Sequence, residues 1–63
     1  MCLSNVYLFE NGEEKLVCEY VSNIDTDSGE ITLTDVLGQE ITVTGRLAKV
    51  DLVKNIILIT KEG

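Results

Sequence analysis

The chain has 63 residues, with 11 Asp and Glu against 5 Lys and Arg and a formal net charge of −6. A chain this short forms one domain with a thin core, because domains of this size bury only about 60% of the surface their unfolded chains expose. Its lack of His removes the Ser-His and Cys-His nucleophiles and the His-ligated metal sites, while its acidity opposes binding to phosphate backbones, which draws on clustered cations.

Apolar residues recur with a spacing of two and Val, Ile and Thr are abundant, which predicts strands. The first covers residues 3–9. Asn11-Gly12 then closes a hairpin onto residues 15–24, because a two-residue turn needs positive φ at both central positions and Asn-Gly supplies it. Asp27-Ser28-Gly29 turns the chain into residues 31–36, where Ile31 and Leu33 alternate with Thr32 and Thr34. Gly38-Gln39 separates Val36-Leu37 from residues 40–44, in which Ile41 and Val43 alternate with Thr42 and Thr44. Gly45 interrupts the run as a bulge or sharp bend before residues 46–53. Lys54-Asn55 turns into the last strand, residues 56–60, whose Ile56-Ile57-Leu58-Ile59 is apolar on both faces. The pattern predicts an all-β meander of five to six antiparallel strands, curled into a small SH3-like or Sm-like partly open barrel spanning residues 1–63. A homodimer would cover its open edges and the second apolar face of the last strand.

No apolar run is long enough to span a bilayer, and no basic segment precedes an apolar stretch at the N-terminus. Two cysteines without an export signal point to a reducing compartment, and so to the cytoplasm. Cys18 falls in mid-strand on the parity of Leu16 and Tyr20 and reads as an inert core thiol. Glu10, Glu13 and Glu14 crowd the first turn and Asp25, Asp27 and Glu30 the second; these read as solvated turns, since Asp25-x-Asp27-x-Gly29 lacks the rest of a calcium-binding loop. Asp51, between Val50 and Leu52, is expected to cap a turn or pair with Arg46 or Lys49.

Cys2 has two readings. It is a small apolar side chain beside Val6 and Leu8, or it is a metal ligand that exploits its place at the chain start. If Met1 is removed, the α-amine and thiolate of Cys2 close a five-membered chelate ring. If Met1 stays, its amine, the Cys2 amide nitrogen and the Cys2 thiolate close two fused rings. Nitrogen and thiolate donors in one plane suit Ni(II) or Cu(II), and the metal itself drives the thiol to thiolate. A two-fold axis near Cys2 would bring a second donor set.

Met1-Cys2-Leu3 with Val6-Tyr7-Leu8, the Asn11-Gly12 hairpin, and the closing run from Gly45 to Leu52 with Ile56-Ile57-Leu58 resemble the CooT family. These small proteins are associated with nickel insertion into carbon monoxide dehydrogenase, and the likeness spans essentially the whole chain. It implies an SH3-like or Sm-like barrel, a homodimer, and Ni(II) held through Cys2 for delivery to a nickel enzyme such as carbon monoxide dehydrogenase, without catalysis. The alternative is a metal-free Sm-like module that binds RNA or a protein partner. The RNA arm has only Tyr7, Phe9 and Tyr20 for stacking, and charge of the wrong sign.

Overall fold

The computed structural model describes residues 3–61; Met1 and Cys2 lie outside them. The chain forms six strands and no helix among the described residues: β1 (Ser4–Glu10), β2 (Glu13–Asp27), β3 (Glu30–Asp35), β4 (Glu40–Thr44), β5 (Arg46–Asp51) and β6 (Ile56–Thr60). They make one sheet in the order β4-β3-β2-β1-β6-β5, an all-β fold whose barrel stays open.

The tight turns form where the sequence places them. Asn11 and Gly12 have φ of 55° and 77°, and Ser28 and Gly29 have 46° and 84°, so both hairpins use the turn whose twist matches that of the paired strands. The β3 alternation also holds, and that of β4 holds in part. Ile31 and Leu33 are buried, Val43 is half-buried and Ile41 is 41% exposed, while on the opposite face the paired Thr32 and Thr42 hydroxyls meet at 3.2 Å.

β2 is shared between two halves of the sheet. Residues 13–21 pair with β1 and residues 21–27 with β3, so Val21 faces both Ser4 and Asp35. Three irregularities bend it. Val6 pairs with Cys18 and Tyr7 with Leu16, which leaves Val17 extra; Ser4 pairs with Val21, which leaves an extra residue between Cys18 and Val21; and Val21 pairs with Asp35 and Asn23 with Thr34, which leaves Ser22 extra. Tyr20 lies in that second bulge with a φ of 58°, a backbone conformation that a bulky side chain rarely adopts. Bulges raise local twist and bend the strand that carries them, which folds one half of the sheet over the other. They also break the parity expected for Cys18. Its supposed face-mates Leu16 and Tyr20 are 48% and 58% exposed, while Cys18 is buried with Val6, Val21, Ile31, Leu33, Ile57 and Ile59.

One pairing departs from the expected all-antiparallel order. β6 runs parallel to β1, from Asn5 opposite Ile56 to Phe9 opposite Thr60. The cause is Gly45. β4 and β5 are opposite edges of the sheet, yet this one residue joins them, so the chain is carried across the open side and β6 returns beside β1. Gly45 has a φ of 152°, its N–H donates to the Gly29 carbonyl at 2.9 Å, and a Cβ placed on it would stand 2.6 Å from the Thr60 carbonyl oxygen. β6 therefore sits between β1 and β5. Ile57 and Ile59 are buried, and Ile56 and Leu58 are half-buried on the outer face, where Tyr7 and Lys49 flank Leu58 across the strands.

Gly45→Ala should destabilise the protein by about 3 kcal/mol, combining backbone strain with a main-chain clash. Gly38→Ala, at a φ of 86° with open space around the added methyl, should cost about 1 kcal/mol. Urea unfolding of the two variants beside the unaltered protein measures the difference.

Candidate functional site

The described chain enters the fold at Leu3-Ser4, and three structural features converge on that end. Ser4, Val21 and Asp35 lie in register across β1, β2 and β3. On the other side the Asn5 N–H donates to the Asn55 carbonyl at 2.9 Å, which ties the β5–β6 turn to the start of β1. Tyr20 completes the rim: its carbonyl accepts the Val36 N–H at 3.1 Å.

Two turns on this rim are built alike. Asp35 Oδ1 accepts the N–H groups of Leu37 and Gln39, both at 2.9 Å. Asp51 Oδ1 accepts those of Val53 and Lys54, both at 3.0 Å. A carboxylate that takes two main-chain donors fixes a short turn without help from a core. The residues after it need not face inward, and they do not: Leu37, Leu52 and Val53 are 81%, 75% and 92% exposed. Asp51 thus acts as the turn cap anticipated for it. The rim's apolar character went unnoticed in the strand pattern, although Asp35-Val36-Leu37 and Asp51-Leu52-Val53 repeat the same signal, an Asp followed by two aliphatic residues outside the alternation.

Between the turns lies a cleft of about 340 Å³ lined by Ser4, Val21, Ile24, Val50, Leu52 and Ile57, among others. It is the open side of the barrel, where nothing from β4 closes over β5. A chain of this size that raises several aliphatic side chains into water around one end presents an interaction surface, since monomeric proteins rarely expose contiguous apolar patches.

Cys18, one row inward and opposite Val6, has different chemistry. Burial pushes its thiol pKa up, and the negative charges of Asp35 and Glu19 push it further the same way, so it stays a thiol and is a poor metal ligand and nucleophile. Among the described residues no group of three Cys, Asp or Glu side chains could hold a metal ion. The acidic residues of the turns are exposed except Glu10, which is half-buried and whose Oε2 meets Lys61 Nζ at 3.2 Å. Met1 and Cys2, the expected metal ligands, lie outside the described residues, and the rim is the ground from which the chain reaches them.

Residues 1–60 match the family model described as CooT, the CO dehydrogenase accessory protein. Among solved structures, the chain is similar to the crystal structure of a CooT candidate from Carboxydothermus hydrogenoformans, with a TM-score of 0.87 and 21% identity over 98% of this chain and 100% of that one; that likeness carries the fold. No curated protein sequence matches significantly.

Cys18 should react with iodoacetamide at pH 8 at least tenfold more slowly in the folded protein than after denaturation, as tracked by mass spectrometry of its peptide. The raised thiol pKa also sets a sign for stability. Its contribution is complete below the ordinary thiol pKa and is lost as pH rises through the raised one, so Cys18→Ala should flatten the alkaline fall in melting temperature.

Proposed function

The chain belongs to the CooT family of CO dehydrogenase accessory proteins, and from that premise we propose that it holds Ni(II) through Cys2 at a homodimer interface and hands it to a nickel enzyme, CO dehydrogenase, during maturation in the cytoplasm. It is an accessory protein and not itself a catalyst. Nickel is its cargo.

The chemistry of the chain's first residues supports this reading. The Cys2 thiolate, the Cys2 amide nitrogen and the Met1 amine offer planar nitrogen and sulfur donors of the kind that Ni(II) rewards. One chain supplies too few soft donors for a closed site, and a second chain related by a two-fold axis supplies the rest. The observation that carries the proposal is the apolar rim around Leu3-Ser4, where Val36, Leu37, Leu52 and Val53 stand in water beside the point from which the chain continues to Cys2. Burial of that rim against its symmetry mate, at about 25 cal/mol per Å² of apolar surface, draws together the two chain starts. It would also shield the metal–thiolate bonds from water and oxidants while leaving the metal at the surface of the assembly for transfer.

Titration with Ni(II) tests the ligand. Thiolate-to-nickel charge-transfer absorption should saturate at one metal per two chains, vanish in Cys2→Ser and persist in Cys18→Ser; equal binding by all three proteins would overturn the assignment. The interface has its own test. Leu52→Asp combined with Val53→Asp should convert dimer to monomer in sedimentation velocity and weaken nickel binding at least tenfold, while far-UV circular dichroism stays unchanged because both side chains are solvated in the single chain; a variant that stays dimeric would overturn the interface.

A further inference from the structure

A second surface runs along the edge of β5 and meets the rim at the Asp51 turn, which carries Lys54. β5 hydrogen-bonds to β6 on one side only, and its other edge is a boundary of the sheet. Exposed edges are templates for pairing with another chain. The charge along this edge is opposite to that of the molecule. Residues 46–54 carry Arg46, Lys49 and Lys54 against Asp51, a net +2, while the other two cations and ten acids give −8. Neither Lys49 nor Lys54 has an ion-pair partner among the described residues, although the protein carries acidic side chains in more than twofold excess. Asp51, the one acid of the segment, already spends its Oδ1 on two main-chain donors.

The side chains of β5 alternate to match. Leu47 pairs with Ile59 and Val50 with Ile57 on the inner face, where they remain 40% and 49% exposed because no strand covers them from the open side. Lys49 pairs with Leu58 on the outer face. Lysine and a bulge on an edge strand also serve as protection against aggregation, and the irregularity between Leu47 and Lys49 fits that role. Protection alone, however, does not require the molecule's cations to gather on one of its two edges. The other edge strand, β4, carries Glu40 and no cation.

We propose that the free edge of β5 is a strand-addition site for an extended acidic segment of a partner protein, one that alternates apolar residues over Leu47 and Val50 with carboxylates against Lys49 and Lys54. Main-chain hydrogen bonds supply its affinity and the alternation its selectivity. A nucleic acid shares the charge but not the rest: it cannot extend the strand ladder, and β5 offers no aromatic platform for bases. A second copy pairing its β4 here would be a head-to-tail contact, which builds rings or filaments and not a two-fold dimer.

The test uses the full-length ¹⁵N-labelled protein and a synthetic, end-capped heptapeptide, Glu-Val-Glu-Ile-Glu-Val-Glu. Its addition should move the amide signals of Leu47, Ala48 and Lys49 saturably, at least tenfold more weakly in Lys49→Glu and in Lys54→Glu, and not at all when alternate peptide nitrogens are methylated. Equal binding of the methylated peptide would reduce the effect to charge attraction and overturn strand addition. Absence of shifts on β5 would overturn it as well, as would competition by oligouridine at equal strength or shifts that grow with protein concentration without peptide. Each variant's unperturbed spectrum outside β5 reports that it is folded.

Discussion

Everything distinctive in this molecule depends on one covalent constraint: two strands at opposite edges of a sheet are joined by a single residue. Gly45 cannot reach from β4 to β5 unless the sheet curls until its edges meet at that corner. The curl in turn needs β2 to bend, which its three bulges and the positive φ of Tyr20 accomplish. Val6, Ile31, Leu33 and Ile59 then come together as the most completely buried side chains of a core that seven residues define. Such a small interior contributes stability mainly through exclusion of water from branched aliphatic groups, and it leaves little margin for side chains that face elsewhere.

The edges meet at the Gly45 corner and diverge from there, so the barrel opens toward the rim. That divergence sets out two surfaces with different physics, which adjoin at the Asp51 turn. The rim is apolar, raised on turns whose conformations are fixed by Asp35 and Asp51, and it surrounds the start of the described chain. The β5 edge is hydrogen-bonding and cationic. In the proposed role as a nickel carrier, the rim would hold the ion and the β5 edge would recognise the recipient, so that recognition need not displace the ligands.

Local signals carried much of this architecture. Asn11-Gly12 and Ser28-Gly29 declare their turns because only residues tolerant of positive φ fit them, and the Ile-Thr alternation of β3 and β4 declares a wet and a dry face. Two features had no local signature. A bulge in β2 shifts Leu16 and Tyr20 away from the face of Cys18, and nothing in a period-two pattern marks where the extra residue falls. The parallel pairing of β1 with β6 joins residues some fifty positions apart, and its direction follows from where Gly45 sends the chain. At the site the cap formed by Asp51 was legible, whereas Met1 and Cys2, read as nitrogen and sulfur donors, lie outside the described residues. The rim was not legible, because aliphatic pairs in turns look like interrupted strands until the carboxylate that holds the turn is seen.

The parallel pairing also fixes how the fold meets mechanical force. β1 begins at the rim and β6 ends at the far side, where the Lys61 N–H reaches the Phe9 carbonyl. Tension applied through the two termini therefore pulls these neighbours past one another along their length. All the hydrogen bonds between them share the load at once and cannot break in succession, as they would in a hairpin opened from its free end. The first and last strands thus act as a shear clasp for a domain whose core alone offers modest resistance.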